Sequence, residues 1–381
     1  MKSINKNILI IAGEASGDLH GSALIGELKK IDSSIIFFGV GGEKMKNSGM
    51  NILYSIDKLA FLGFSEIIKH IPFIKKVQRE ILRLVKEKAI KNAILIDYPG
   101  FNLSLAKKLK KLGVHIYYYI SPQIWAWGAG RIKKIRLLID KMIVVFPFEE
   151  ELYRKNNVNT EFVGHPLVER INEYELLSKE EFYTKFNLDL AKGILLILPG
   201  SRKNEITNIF PSAIKAAAKL NSEFNLQSIV ACADNIDMNI FNQFSSITNF
   251  KIIKGYNYDL MNLAKIGIIK SGTSTLEAGL FSLPMVIVYK TSLLTYLIGK
   301  KLIKLDTIGM ANIISGERIV PELIQKQAND NNIYLECKKI LSDNNLYSSI
   351  KSKLSALKEK LGQPGASGKA AQIIYRALNE L

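Results

Sequence analysis

Cysteine is almost missing from this 381-residue chain: Cys232 and Cys337 stand alone, in dissimilar contexts. Two such residues exclude a disulfide scaffold and a Cys-rich zinc module, and they suit a reducing cytoplasm. Histidine is nearly as sparse, at positions 20, 70, 115 and 165, and neither Asp-x-Asp nor H-E-x-x-H occurs. Metal chemistry therefore has no support, and His165 in Val163-Gly164-His165-Pro166 reads as a structural hinge residue. Long apolar runs are also lacking. The best candidate, Leu276–Tyr289, contains Glu277 and Pro284 and stops at Lys290, short of the ~20 apolar residues that a spanning helix needs. The apolar run Ile8–Ala12 near the start is too brief for a signal peptide, and no small-residue cleavage site follows it. No fixed-period repeat or long low-complexity segment occurs. With 48% hydrophobic and 23% charged residues, a mainly disordered chain and a fibrous protein are excluded.

What is present in excess is positive charge: 52 Lys+Arg against 35 Asp+Glu, a formal net charge of +17. Much of it is dispersed Lys, without clustered Arg on aromatic platforms or a reader motif, so nucleic acid is not expected as a partner. Two readings stand: Lys that simply decorates solvated helix faces, or a field that favours anionic partners, phospholipid surfaces and phosphorylated substrates among them.

Short continuous apolar runs alternate with helical stretches. Strands are expected at Ile8–Ala12, Ile35–Phe38, Ile94–Asp97, Val114–Ile120 and Met142–Phe146, with helices through Leu19–Lys30, Leu103–Leu112 and Arg131–Leu138. Runs without polar alternation are those of parallel strands buried on both faces. The pattern pauses over the polar stretch Val168–Lys192. It restarts with Gly193–Leu198, Gln227–Ala231, Phe250–Ile253, Ile266–Ile269 and Met285–Tyr289. The reading is an α/β protein of two Rossmann-like domains facing across a cleft, at residues 1–168 and 190–345. A helical C-terminal tail, 346–381, is expected to pack back on the first domain.

Five segments carry candidate chemistry. Gly13-Glu14-Ala15-Ser16-Gly17-Asp18-Leu19-His20-Gly21 follows the first strand and is neither G-x-G-x-x-G nor G-x-S-x-G. Asp18 as a helix cap explains part of it, but two carboxylates and a His exceed what a turn needs. Asp97, in Asp97-Tyr98-Pro99-Gly100-Phe101-Asn102, ends a buried strand, where ligands of open α/β sheets bind. Two readings stand there: a general base, or the cap of the helix beginning near Phe101. Ser121-Pro122-Gln123-Ile124-Trp125-Ala126-Trp127-Gly128 holds both tryptophans in a loop that suits a sugar or lipid pocket, one ring wedging into the core. Gly200-Ser201-Arg202, after the strand ending at Leu198, offers a close backbone approach, a helix N-terminus and a guanidinium fork, which suits a pyrophosphate. Ser271-Gly272-Thr273-Ser274-Thr275, with Glu277 one turn on, offers a second such anion site, with Glu277 placed to accept ribose hydroxyls.

Together and in this order, Gly13–Asp18, Ser121–Trp127, Phe162–Pro166, Leu198–Arg202, Ser271–Glu277 and Met310–Gly316 resemble the lipid-A-disaccharide synthases, inverting glycosyltransferases of the GT-B architecture. The resemblance runs from Ile11 to about Leu323. It implies transfer of 2,3-diacylglucosamine from UDP-2,3-diacylglucosamine to the 6-hydroxyl of 2,3-diacylglucosamine 1-phosphate, giving a β(1→6) disaccharide 1-phosphate and UDP, with no cofactor and no metal. Asp97 then takes the base role, with Glu14 a second candidate for base or for orienting the acceptor. Gly200, Ser201, Arg202, Gly272, Thr273 and Ser274 would hold the UDP, Glu277 the ribose, and Asn312 would line the donor site. Ser16, Asp18, Gln123 and Trp125 fall to the acceptor pocket. Family members often read Asp-x-Pro-Asp-Phe-Asn where this chain has Gly100, which concentrates the base role on Asp97. Acylated substrates imply an enzyme peripheral to the cytoplasmic face of the inner membrane. The apolar stretch Leu59–Ile74, with Phe61, Leu62, Phe64, Ile67 and Ile68 ahead of Lys75, Lys76 and Arg79, suits docking on an anionic membrane surface; a core-facing helix is the alternative. Thr291–Leu305 is a weaker second stretch of that kind. A homodimer is left open. The competing enzyme reading is another GT-B protein acting on a UDP-sugar, such as a UDP-N-acetylglucosamine epimerase or a cell-wall transferase.

Overall fold

The computed structural model describes residues 6–58, 67–125, 129–291 and 307–379, with the side chains of 67–70 and 129 outside that set. Two compact units divide the chain: Met1–Glu169 with Leu361–Leu381, and Arg170–Lys360.

The first unit holds a seven-stranded sheet in the order β3-β2-β1-β4-β5-β6-β7. Its strands are β1 Asn7–Ala12, β2 Ile36–Gly41, β3 Met50–Ser55, β4 Asn92–Ile96, β5 His115–Tyr119, β6 Lys141–Val144 and β7 Thr160–Phe162. Every pair is parallel. β4 is buried at all five positions, which is why Ala93–Ile96 reads as an unbroken apolar run. One layer over this sheet uses Val77, Ile81 and Val85 of the helix Ile67–Glu87, Leu105 and Leu109 of Pro99–Lys110, and Ile135 of Ile132–Leu138. The helix Ala15–Ile31 packs against both β1 and the C-terminal helix Ala366–Asn379.

The second unit repeats the plan with six parallel strands in the order β10-β9-β8-β11-β12-β13. They are β8 Gly193–Leu198, β9 Leu226–Ala231, β10 Phe250–Ile253, β11 Ala264–Lys270, β12 Met285–Tyr289 and β13 Glu322–Ile324. The helices Asn344–Ser355 and Leu357–Lys360 stay with this unit, so only the chain from Leu361 onward joins the first. This differs from a tail beginning at 346. The reason is packing: Leu354 and Leu357 are buried, and both approach Gly279 so closely that a Cβ there would lie 2.8 Å from the Leu357 side chain. Residues 168–192, expected as a linker, belong to this second unit from Arg170 on and include the helix Lys179–Lys185, opened by a capping box of Ser178 and Glu181.

Strand order reverses between β1 and β4 in one sheet and between β8 and β11 in the other. In open α/β sheets such reversals open a crevice at the carboxyl ends of the strands, the usual place for a ligand. Glu14 and Asp97 follow β1 and β4; Ser201 and Gly272 follow β8 and β11. Among the described residues, no helix is long and apolar enough to cross a membrane.

Candidate active site

The first unit joins its two reversal-point loops through Tyr98. The Tyr98 ring lies on the backbone of Gly13, where a Cβ would come within 2.2 Å of it, so only glycine leaves room at that position. Glu14 is exposed and starts the helix Ala15–Ile31 without a side-chain cap bond. Asp97 is mostly buried. Burial first, and the Glu14 charge second, push its carboxyl up from 3.8 to about 6, while the Tyr98 amide pulls it down. Such a group is ionised at neutral pH yet basic enough to accept a proton from a hydroxyl in a transition state. The capping alternative is not what forms: the N-cap residue of Pro99–Lys110 is Tyr98, and no side chain caps it.

Backbone strain gathers at the same edge. Asp97 and Tyr98 have φ of 42° and 47°, and Ile120, at the end of β5, has φ of 62°. A β-branched residue in the left-handed region is a true outlier, and such strain persists only where its surroundings enforce it. Ile120 turns the chain into Ser121 and Trp125, whose hydroxyl and indole N–H both donate to Glu149 Oε1, at 2.6 and 3.0 Å. Burial raises the Glu149 carboxyl to about 7 against the pull of these two donors and of the Phe146 and Val145 amides. Trp125 meets Phe148 edge-on, Phe148 stacks on Phe146, and Phe146 touches His165. His165 is buried with Nδ1 accepting from the Leu167 amide at 3.1 Å.

Of the acceptor-pocket candidates, Ser16 and Gln123 are exposed and Trp125 is half-buried. Asp18, the fourth of these candidates, is engaged by the backbone. It is buried, and its carboxylate accepts from the amides of Gly42 (2.6 Å), Met45 (3.1 Å) and Lys44 (3.2 Å). Its work is to tie the Ala15–Ile31 helix to the N-terminus of the short helix Glu43–Asn47.

In the second unit, Gly200 has φ of 121°, and a Cβ on it would lie 2.4 Å from Glu205 Oε2. That same oxygen accepts from the Ser201 amide at 3.1 Å, while Oε1 takes the Lys270 ammonium at 2.9 Å. Glu205 thus binds the loop after β8 to the end of β11. Arg202 is exposed, with only a loose 3.8 Å approach to Glu205, and remains available to an anion. Ser271 donates to the carbonyl of Ile308, and Thr275 accepts from the amide of Met310. Thr273 is exposed and Ser274 and Gly272 half-buried at the start of the helix Thr273–Leu280. Glu277 is held at 2.7 Å by Arg170, which also donates to Tyr258 and lies over its ring. Burial raises the Glu277 carboxyl, and Arg170 opposes the rise. Lys290, at the end of β12, is bonded to Ser212 and has its pKa lowered by burial.

Asn312, expected to line the donor site, sits in the helix Met310–Ser315. Its side chain is buried and fully engaged: Nδ2 donates to Val320 O and Glu322 Oε1, and Oδ1 accepts from Val320 N. Glu322 in turn accepts from the amides of Ile308 and Gly309. Asn312 therefore shapes the loop behind Ser271 and Thr275. Phe61, Leu62 and Phe64 lie outside the described residues, as do 292–306. Ile67 and Ile68 open a described helix, but their side chains do not belong to the described set. From Val77 on, that helix faces the core, and Lys75, Lys76, Arg79, Arg83 and Lys86 form its exposed side. Among the described residues no group of three metal-ligating side chains occurs.

Tyr118, Glu149, Lys270 and Arg170 were not expected at these positions. Lys270 ends β11 and Glu149 lies in the first turn of the helix that follows β6, the one local signal that could have marked them.

Residues 8–376 match the model of the lipid-A-disaccharide synthetase family. The chain is 39% identical over 379 residues to the lipid-A-disaccharide synthase of Geobacter metallireducens, covering 99% of this chain and 98% of that one. It is 38% identical over 375 residues to that of Coxiella burnetii, at 98% and 99% coverage. Among solved structures it resembles the UDP-GlcNAc 2-epimerase of Neisseria meningitidis bound to UDP-GlcNAc (TM-score 0.67, 12% identity, 98% and 100% coverage). It also resembles a glycosyltransferase of Rickettsia africae (TM-score 0.59, 11% identity, 98% of each chain). At such identities these structures speak for the fold alone, two Rossmann-like α/β units with C-terminal helices, the GT-B architecture. The near full-length sequence match decides between the epimerase and disaccharide-synthase readings: the chain belongs to the lipid-A-disaccharide synthase family, the glycosyltransferases that form the lipid A disaccharide.

Proposed function

We propose that Asp97 is the general base of the transfer. It takes the proton of the acceptor's 6-hydroxyl as that oxygen attacks the anomeric carbon of the donor sugar. The C1–O bond to the diphosphate breaks on the opposite face, so the centre inverts and UDP leaves. The observation that carries this reading is the placement of Asp97: strained backbone, the carboxyl end of β4, and a carboxyl raised to about 6 beside Glu14. Glu14, exposed next to it, orients the acceptor through its hydroxyls and keeps the base from being too weak. The donor is UDP-2,3-diacylglucosamine, and the Neisseria relative in fold, solved with UDP-GlcNAc, supports a nucleotide-sugar. Negative charge growing on the departing diphosphate meets Arg202 and the N–H groups that open the helices Lys203–Glu223 and Thr273–Leu280. Lys270 adds a cation to that loop cluster. Glu277, held by Arg170, takes the ribose hydroxyls. No step in this scheme calls for a metal.

The acceptor is 2,3-diacylglucosamine 1-phosphate, and the acyl chains of both substrates bring the enzyme to the cytoplasmic face of an anionic membrane. The exposed basic side of the helix Ile67–Glu87 supports that placement. Vesicle flotation tests it: making Phe61, Leu62 and Phe64 polar should weaken binding to anionic liposomes, and undiminished binding would remove this contact.

The reaction itself is tested with the two acylated substrates. Wild type should release UDP and form the disaccharide 1-phosphate. Asp97→Ala should lose at least a hundredfold in kcat, the usual weight of a general base, while still binding UDP. Equal use of unacylated UDP-N-acetylglucosamine, or its epimerisation, would contradict the assignment.

A further inference from the structure

Two consecutive non-glycine residues in the left-handed region, Asp97 and Tyr98, each cost about 1 kcal/mol or more. Something must hold them, and the bonds that do so can be traced. The Asp97 amide donates to Tyr119 O at 3.2 Å, and the Asn102 amide to Tyr98 O at 3.1 Å. Asn102 Nδ2 donates twice, to Ile96 O at 3.1 Å and to Asp97 O at 2.7 Å. From the neighbouring strand β5, the Tyr118 hydroxyl donates to the same Asp97 carbonyl at 2.5 Å. That carbonyl therefore receives two side-chain donors from two different elements. Both side chains are wholly buried.

Asn102 carries a further mark. Its Oδ1 is buried and has no hydrogen-bond partner among the described residues. Turning the amide over would set Oδ1 against two carbonyl oxygens, so its orientation is fixed by the donors it supplies. A buried acceptor left unsatisfied costs about 1–3 kcal/mol, which helix capping or packing alone would not require. Tyr118 is an equally fixed donor: burial, then the Asp97 charge, raise its phenol well above the ordinary range, so it keeps its proton.

Resting on the reading of Asp97 as base, we infer that Asn102 and Tyr118 are positioning residues of the reaction, which clamp the Asp97 carbonyl and so aim its carboxylate beside Glu14. Neither touches substrate. Charged and titratable groups near this carboxylate are Glu14 from the β1 turn, Tyr98 on its own loop and Tyr118 from β5, the last influenced by Arg131. Without the clamp, the left-handed pair relaxes and the carboxylate swings out of its apolar setting and away from Glu14.

The test uses Tyr118→Phe, which removes one oxygen from a packed site, and Asn102→Ala as its harsher companion. Tyr117→Phe is the matched control: the adjacent residue on β5 is just as buried, but its hydroxyl faces Asn92 Oδ1 at 3.4 Å. Near-UV circular dichroism confirms folding of each. In Tyr118→Phe, kcat should fall roughly ten- to a hundredfold, the usual effect of a misplaced catalytic group, with KM for both substrates within about twofold. The acid limb of its kcat/KM profile, which reports the free enzyme, should move down from about 6 toward 3.8. Tyr117→Phe should match wild type. Equal loss in Tyr117→Phe, or wild-type kcat and pH profile in folded Tyr118→Phe, overturns the clamp. Asp97→Asn, assayed alongside, separates the two ideas. If it is inactive while Tyr118→Phe behaves as wild type, only the clamp falls; if it turns over normally, the base assignment falls and the clamp with it.

Discussion

Replacing Asp97 by Asn should stabilise the protein while disabling it. In the folded state the Asp97 carboxyl sits at about 6 against 3.8 for the free group. A gap of about two pKa units at 1.36 kcal/mol each is about 3 kcal/mol. The sign follows from linkage. Because the folded-state pKa is raised, the folded protein holds this proton more tightly than the unfolded chain does. The associated stability is fully present below pH 3.8 and is lost as pH rises through 6. Above that, the charged, buried Asp97 costs the fold up to about 3 kcal/mol, a penalty that Asn does not incur. Asn also tolerates the left-handed φ of 42° as well as Asp does. For a unit of this size 1 kcal/mol is roughly 2–4 °C in Tm, so Asp97→Asn should unfold about 6–12 °C later than wild type at pH 8. The difference should shrink toward zero by pH 4. The assay is thermal unfolding followed by circular dichroism across that range. A variant less stable than wild type at pH 8, or a gap that ignores pH, would refute the burial argument from which the base assignment draws.

Glu149, raised to about 7, should make the protein's tryptophan emission titrate near neutrality through the Trp125 indole bond, and Glu149→Gln should abolish that transition. Gly200→Ala places a methyl group 2.4 Å from Glu205 Oε2 in a left-handed backbone; a loss of about 1–3 kcal/mol in stability and weaker UDP binding by calorimetry are expected, and a neutral result would show that this turn is not held as described. Arg170→Ala leaves the half-buried Glu277 without its partly exposed cation and should destabilise the second unit by about 1 kcal/mol. Arg170→Met combined with Glu277→Gln should recover part of that loss while UDP binding stays weak, readable from denaturant midpoints and titration together.

Much of this site lies where parallel-sheet topology demands, and for that reason it could be read locally. β1, β4, β8 and β11 are continuous apolar runs because they are buried on both faces, and the turns after them carry Glu14, Asp97, Ser201 and Gly272. β3 escaped notice because Met50–Ser55 is half-exposed along most of its length. β7 and β13 are three residues each, and β13 begins with Glu322, whose carboxylate is turned inward to hold amides 308 and 309. What no local pattern could show were side chains meeting from distant parts of the chain. Lys270 finds Glu205, Arg170 finds Glu277, and Asp18 finds the amides of Gly42 to Met45. The strained Asp97–Tyr98 pair was equally hidden, since neither left-handed position is a glycine. The partners of Asn312 were hidden too, since its amide bonds to Val320 across a turn of the chain.

The central claim is that a buried Asp97 carboxylate accepts the acceptor's proton, and the pH dependence of kcat/KM tests it most directly. With both acylated substrates, wild type should lose activity tenfold per pH unit below a midpoint near 6, and Glu14→Gln should shift that midpoint downward because the second cause of the raised pKa is gone. A profile flat to pH 4.5, or an unchanged midpoint in Asp97→Asn with substantial turnover, would contradict it.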